Sequence, residues 1–172
     1  MGSMHVKLED RAADIKKLAA YFATRAKGGA GLLVTGGYSP NRRGWLLPFA
    51  GEMVSGRDAR RHQTVTNAVH AEDGKIALQI LHAGRYSYHP FSLSASSSKS
   101  PITPFSAKGM SARTVEKTVQ DFADAAVLAR DRDPVGATSI GTGQLLLAAS
   151  AAGTRRVTLG IGGSATTDGG RG

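Results

Sequence analysis

Residues 31–37, GLLVTGG, form a short, continuous apolar run between glycines, which is typical of a parallel β-strand buried on both faces. The preceding segment, residues 10–27, repeats apolar side chains at helical spacing and is followed by Gly28 and Gly29 as a stop. The apolar face of this predicted helix consists of Ile15, Leu18, Ala19, Phe22 and Ala26. The sequence therefore predicts a helix that leads directly into a buried strand.

The same unit then repeats along the chain. A loop with Pro and Gly leads into a predicted helix over residues 56–72, with Val65 and Val69 facing inward. Gly74 ends that helix, and the second strand is KIALQIL, residues 75–81. Strand, helix and strand in this order imply a parallel sheet and the α/β fold class.

A long loop and a third helix follow the second strand. The loop, residues 82–109, is too long for a simple connector and carries aromatic, His and Arg side chains, so we predict that it lies over a site. Its serine run, residues 94–100, is equally compatible with a flexible linker. Ser111 is the predicted N-cap of a helix that reaches about Arg130. The predicted inward face of this helix consists of Val115, Val119, Phe122, Ala126 and Ala129.

The alternation of helix and strand breaks after the third helix. Residues 131–143, DRDPVGATSIGTG, are rich in turn-forming residues where a fourth strand is expected. A helix over about 142–152, a strand over 155–161 and a glycine-rich loop over 162–170 are predicted beyond it. We therefore divide the chain into residues 1–131 and 132–172, and expect both parts to form one folded unit.

Composition excludes several classes of function. The chain has 172 residues, a net charge of +9 and no cysteine, which excludes disulfides and thiolate chemistry and favours the cytoplasm. No window approaches the roughly 18–20 apolar residues of a membrane helix, so we expect no membrane partner. The basic residues are scattered in isolated pairs, which argues against a nucleic-acid partner. His62 and His70 lie eight positions apart, unlike the usual metal-binding spacing, and we predict no metal site.

Residues 1 to about 130 resemble the old yellow enzyme family, and within it the 2,4-dienoyl-CoA reductase branch. The motifs that carry this resemblance are MGSMH (1–5), VTGG (34–37), AVHAEDGKIALQILHAGRYSYHP (68–90) and SPITPF (100–105). The resemblance implies a (β/α)8 barrel that holds FMN at the carboxyl ends of its strands. It also implies NAD(P)H as reductant and an activated alkene, in a small molecule or a CoA ester, as substrate. The matched portion corresponds to about the first three strand–helix units.

The same resemblance implies a set of flavin-binding residues. Gln79 has the role of pairing its carboxamide with the flavin pyrimidine edge, and the segment Met1, Gly2 and Ser3 lines the flavin. Gly36 and Gly37 allow a close backbone approach. Because the first strand is short here, we expect the α-amino group of Met1 to lie where the flavin would sit.

Catalytic residues are not assigned by the sequence. Four residues follow Gln79 closely, namely His82, Arg85, Tyr86 and Tyr88. They are compatible with binding an anionic substrate, with donating a proton or with packing of the loop.

Residues from about 133 to 172 resemble a second family, the glycerate kinases. The motifs are DPVGATSIGTGQLL (133–146) and LGIGGSATTDGG (159–170). In a loop of this kind, backbone N–H groups converge on a phosphate, and we name Gly162, Gly163, Ser164 and Asp168 as candidate phosphate-binding residues. ATP and Mg²⁺ are not expected as cofactors of so short a portion.

Together these observations predict a truncated FMN-dependent enoyl reductase fragment fused to a glycerate kinase fragment. We expect a half TIM barrel or an open parallel sheet that is completed by the fused helix and strand of residues 142–161. FMN binding is expected to be weak or lost, catalysis by the chain alone to be small or absent, and a homo-oligomer to cover the open face. Two alternatives remain open at this stage: a non-catalytic chimeric α/β protein without flavin or ATP, and a phosphate-binding module.

Overall fold

The computed structural model describes residues 1–132 of the chain. The helix and strand predicted within residues 142–161, and the glycine-rich loop after them, lie outside the described residues. The described elements are α1 (Ile15–Lys27), β1 (Leu33–Tyr38), α2 (Gly56–His70), β2 (Ile76–Ile80), β3 (Leu93–Ser94), β4 (Ser98–Lys99), β5 (Ser106–Gly109) and α3 (Ala112–Arg132). No helix among residues 1–132 is long and apolar enough to cross a membrane.

The two main strands, β1 and β2, pair in parallel and are connected through α2. This is the strand–helix–strand unit that the sequence predicts, and it confirms the α/β class with parallel β/α units. The register is irregular, because β1 advances from Val34 to Gly37 while β2 advances only from Ala77 to Gln79. One extra residue in β1 therefore forms a bulge, a feature that the apolar run did not indicate.

The main hydrophobic core lies between the two strands and the helices α1 and α2. The predicted inward residues of α2, Val65 and Val69, are both fully buried. Phe22 of α1 is also fully buried, and its neighbour Ile15 packs against the cluster from its margin. The buried members are Leu18, Ala19, Phe22, Ala26, Leu33, Val65, Val69 and Ile76. The apolar periodicity of both helices thus correctly identified the faces that cover the sheet.

Two glycines are required at the ends of the helices. Gly29, just after α1, has a φ of 88°, a left-handed conformation in which a side chain is strained. Gly74, after α2, lies so close to α1 that an added Cβ would come within 2.6 Å of the Cβ of Ala26. Gly74 thus allows α1 and α2 to pack closely at their carboxyl ends, whereas Gly29 allows the chain to turn after α1.

The long segment after β2 folds into a small sheet of its own. Its three short strands lie in the order β3, β5, β4, with β3 parallel and β4 antiparallel to β5. Part of the serine run pairs with this sheet, because Ser98 and Lys99 face Ala107 and Ser106. The run is therefore not a plain linker.

The orientation of α3 corrects one prediction. The side chains expected to face inward at its start, Val115 and Val119, are 43% and 54% exposed. Thr118 and Ala125 are buried instead. This face lies inward because Asp121 accepts a hydrogen bond of 2.8 Å from the Asn41 side chain and because Ala125 packs in a hydrophobic cluster with Tyr38 and Met53. The predicted N-cap is confirmed, since the hydroxyl of Ser111 accepts the N–H of Thr114 at 3.3 Å.

Candidate functional site

The first residues of the chain run alongside β1. The N–H of Val34 donates to the carbonyl of Met1 at 3.1 Å, and the α-amino group of Met1 donates to the carbonyl of Leu32. Leu32 precedes β1, so the amino group lies at the start of the strand and away from its carboxyl end. The expectation that this charge occupies the flavin position stays a prediction, and the pairing with Leu32 argues against it. Gly2 is exposed and has no atom within 4 Å of the position that a Cβ would take.

Ser3 and Gln79 meet at the bulge of β1. The hydroxyl of Ser3 lies 2.7 Å from Oε1 of Gln79 and 2.7 Å from the carbonyl oxygen of Thr35. Ser3 is exposed and Gln79 is partly buried, so the carboxamide stands at an open surface. Two residues that lie far apart in the sequence and were both predicted for flavin binding are thus brought into direct contact.

Thr35 is a further residue of this site, and it was not predicted. Its side chain is fully buried, and its Oγ1 accepts the backbone N–H of Gln79 at 3.0 Å. The same hydroxyl donates to the carbonyl of Gly36 at 2.8 Å. Because the bulge interrupts the ladder between β1 and β2 at this point, the hydroxyl takes the place of a backbone acceptor. A threonine inside a run that ends in two glycines is the only sequence signal for it.

Gly36 and Gly37 approach other parts of this chain. A Cβ on Gly36 would come within 2.5 Å of Oε1 of Glu9, and a Cβ on Gly37 within 2.4 Å of Cδ2 of Leu81. The close packing that these glycines permit is therefore made, at least on their Cβ side, by Glu9 and Leu81. Their role toward a flavin stays a prediction.

Glu9 belongs to a buried group of polar side chains beside the end of β1. Its carboxylate is buried and accepts the N–H of Val6 with both oxygens at 3.2 Å. His5 lies 3.0 Å from the carboxylate of Asp10 through Nε2. Burial raises the pKa of the nearby Tyr38 hydroxyl, and the negative charges of Glu9 and Asp10 raise it further. Tyr38 thus keeps its proton. Together these polar side chains hold the loop of residues 5–10 against β1.

His82 is buried just beyond the carboxyl end of β2. Only 1% of it is exposed, and burial lowers its pKa to about 4. Its Nδ1 accepts the N–H of Gly84 at 3.1 Å, so the neutral ring carries its proton on Nε2. That nitrogen has no hydrogen-bond partner among the described residues. Gly44 packs against the ring, since a Cβ there would come within 2.5 Å of Cδ2.

The other three residues after Gln79 do not join His82 in one cluster. The guanidinium of Arg85 lies 4.8 Å from the centre of the Tyr86 ring and donates to the Tyr86 hydroxyl at 2.6 Å. Tyr88 packs edge-on against Phe105, with ring centres 5.5 Å apart. These contacts are of the kind expected for packing of the loop. The candidate phosphate-binding residues Gly162, Gly163, Ser164 and Asp168 lie outside the described residues.

Comparison with known proteins shows which family and which relatives the chain resembles. The family described as NADH:flavin oxidoreductase / NADH oxidase matches residues 1–137. The N,N-dimethylglycine/sarcosine dehydrogenase of Chromohalobacter salexigens is 31% identical over 115 residues, which is 62% of this chain and 16% of that protein. The chain thus spans about a sixth of the length of this curated relative. Glycerate 2-kinase of Escherichia coli is 54% identical over 46 residues, or 27% of this chain and 12% of the kinase.

Solved structures agree with the family match at the level of the fold. The old yellow enzyme homologue from Zymomonas mobilis has a TM-score of 0.64 at 22% identity, covering 76% of this chain and 40% of that one. A 2-naphthoyl-CoA reductase in complex with 2-naphthoyl-CoA has a TM-score of 0.62 at 21% identity, covering 69% of this chain and 20% of that one. The described residues therefore have the fold of part of a barrel of this type. With a family model that matches most of its length, the chain belongs to the NADH:flavin oxidoreductase family, the family of the old yellow enzymes.

Proposed function

We propose that residues 1–132 form the part of an FMN-dependent enoyl reductase that binds the pyrimidine edge of the flavin. In this proposal the carboxamide of Gln79 pairs with the ring, and the segment Met1, Gly2 and Ser3 lies beside it. The observation that carries the proposal is the contact between Ser3 and Gln79 at an open surface near the carboxyl ends of β1 and β2. In barrels of this kind, sites lie at that end of the strands.

The chemistry of these side chains fits a flavin. A carboxamide offers one acceptor and two donors, which complements the alternating carbonyl and N–H groups of the pyrimidine ring. The hydroxyl of Ser3 adds a further polar group at the same surface. Gly36 and Gly37 fit less directly, because Glu9 and Leu81 already fill the space on their Cβ side.

Bound FMN would supply hydride transfer between a nicotinamide and an activated alkene. The contribution of the described residues is to bind and orient the ring through Gln79, not to move a proton. His82 keeps a neutral ring buried beneath the surface, and Tyr38 keeps its proton, so neither is assigned a proton-transfer role. We propose NAD(P)H as reductant and a small molecule or CoA ester as substrate. The family description and the 2-naphthoyl-CoA complex of a structural relative support this choice.

The 172-residue chain taken by itself is proposed to bind FMN weakly and to catalyse little or no reduction. It spans 40% of the old yellow enzyme homologue and a sixth of the curated dehydrogenase. Phosphate sites of such barrels are commonly formed after strands 7 and 8, beyond the units that the described residues contain. Self-association of the chain would add a second surface to the open sheet, and we propose a homo-oligomer on that ground.

Titration with riboflavin, followed by flavin fluorescence, tests the proposal because the ring is offered without a phosphate. Gln79→Ala should weaken binding by about tenfold, as expected for the loss of one or two hydrogen bonds. Gln120→Ala is the matched control, since Gln120 is exposed on α3 and its Nε2 donates to Asp124 at 2.7 Å, away from the candidate site. Wild-type protein that binds no riboflavin, or Gln79→Ala protein that binds it equally well, would refute the proposal.

Phosphate binding by the glycine-rich loop is a second candidate function. The short but close likeness to glycerate 2-kinase favours it, together with the motif that contains Gly162, Gly163, Ser164 and Asp168. Isothermal titration with inorganic phosphate and with ATP tests it. A heat of binding in the wild type that disappears in Ser164→Ala protein would support a phosphate site. If the wild type gives no heat of binding, this function is refuted, and the alternative of a chimeric α/β protein without phosphate binding is favoured.

A further inference from the structure

The hydroxyl groups of Ser3 and Thr35 both contact Gln79, one at its side chain and the other at its main chain. Ser3 Oγ lies 2.7 Å from Gln79 Oε1, and Thr35 Oγ1 lies 3.0 Å from Gln79 N. The proposed function uses the carboxamide of Gln79 but does not say what fixes its direction. A side-chain amide has a nearly two-fold torsion at its end, so its direction must come from its partners.

The available protons determine that direction. The Thr35 hydroxyl accepts the N–H of Gln79 and gives its one proton to the carbonyl of Gly36 at 2.8 Å. The Ser3 hydroxyl also has one proton, but it faces two oxygens, the Thr35 carbonyl at 2.7 Å and the Gln79 carboxamide. A backbone carbonyl can only accept, whereas a carboxamide that is turned by half a rotation offers an N–H. Both contacts of the Ser3 hydroxyl contain a proton only if Ser3 donates to Thr35 and Gln79 donates to Ser3.

We propose that Ser3 and Thr35 are positioning residues that hold Gln79 with Nε2 on the Ser3 hydroxyl. In this orientation Oε1 and the second N–H of the carboxamide face the open surface. That pair of an acceptor and a donor matches a cyclic imide edge, in which a ring N–H lies next to a carbonyl. The inference rests on the proposed function, because the flavin pyrimidine ring carries such an edge.

A pair of flavin analogues tests the recognition of the imide edge. Wild-type protein should bind lumiflavin about tenfold more tightly than 3-methyl-lumiflavin, which lacks the ring N–H, when both are titrated by fluorescence. Ser3→Ala and Thr35→Val should reduce this ratio to about one, whereas Thr35→Ser should restore most of it. Ser92→Ala is the control, because it removes a buried hydroxyl with no hydrogen-bond partner among the described residues. An unchanged ratio in Ser3→Ala protein would overturn the inference.

Nuclear magnetic resonance of the flavin-free protein separates this inference from the proposed function. Ser3→Ala should shift the side-chain N–H signals of Gln79. Thr35→Val should speed hydrogen exchange of the Gln79 backbone N–H by about tenfold or more, as expected for the loss of a buried hydrogen bond. If Thr35→Val does not fold, the exposed Ser3 position still provides the test. Shifted signals without lumiflavin binding would refute the flavin function and support the positioning role. Unshifted Gln79 side-chain signals in Ser3→Ala protein would overturn the positioning role, whatever the flavin result.

Discussion

Acidification should destabilise the protein through His82. The imidazole is 1% exposed, and burial lowers its pKa from 6.5 to about 4, while the carboxylate of Asp121 opposes the shift. The hydrogen bond from Gly84 N–H to Nδ1 requires the neutral ring. Between these two pKa values the unfolded chain therefore binds a proton that the folded protein does not. The free energy of unfolding falls as the pH falls through this window.

The magnitude follows from the size of the pKa shift. Each pKa unit corresponds to about 1.4 kcal/mol. Relative to neutral pH, His82 alone should therefore lower the free energy of unfolding by about 1.4 kcal/mol at about pH 5.5 and by about 3 kcal/mol at about pH 4. Above the unfolded pKa of 6.5 its stabilising contribution is fully present. A loss of this size is a large fraction of the stability of a small domain.

Urea unfolding of the wild type and His82→Gln at several pH values measures this effect. Glutamine retains an acceptor for the Gly84 N–H but does not titrate, and the comparison cancels the contribution of every other titrating group. The free-energy difference between the two proteins should change by about 1.4 kcal/mol between about pH 7.5 and about pH 5.5. Parallel pH profiles of the two proteins, or an imidazole NMR signal that titrates near its ordinary pKa, would refute the reasoning.

Three further predictions concern packing and helix capping. Gly44→Ala should lower the free energy of unfolding, measured in urea, by about 1–3 kcal/mol, because the new Cβ would lie 2.5 Å from Cδ2 of the buried His82 ring. Gly31→Ala is the control, since a Cβ there has open space and should change that free energy by less than about 0.5 kcal/mol. Ser55→Ala should cost about 1 kcal/mol, since its hydroxyl caps the first turn of α2, and a normal thermal midpoint would contradict this. Phe22→Ala should lower the free energy of unfolding by about 3–5 kcal/mol, because Phe22 is fully buried at the centre of the core. Phe91→Ala is the control, since this ring is 71% exposed, and equal denaturant midpoints of the two variants would show that the core assignment is wrong.

The regular elements were predictable because each has one dominant periodic signal. The helical spacing of Leu18 and Phe22 identified the buried face of α1, and the apolar runs located β1 and β2 to within two residues at each end. The strand–helix–strand order then fixed the parallel pairing. These features depend on local patterns that a chain displays before any tertiary contact is known.

The parts that could not be predicted depend on contacts between distant residues. Val115 and Val119 give α3 an apolar stripe, yet the Asn41–Asp121 hydrogen bond and the packing of Ala125 hold another face of the helix inward. The bulge at Thr35 has no periodic signal, because β1 is a continuous apolar run without an alternation that an extra residue would shift. The meeting of Ser3 with Gln79 spans 76 positions and was expected only through the family resemblance.

Both sides of β1 are held by parts of the chain that lie far away in sequence. Met1 pairs with Leu32, just before β1, across 31 positions, and its carbonyl accepts the N–H of Val34 in β1. Thr35 pairs with Gln79 across 44 positions. The contact between α1 and α2 closes a loop of similar length, and the entropic cost of closure rises only slowly with length, so loop length alone does not order these steps. We predict that the contacts of Thr35 form after the transition state of folding, so that Thr35→Val speeds unfolding and leaves the refolding rate nearly unchanged. The surface of the candidate site would then be the part of this unit that opens most readily.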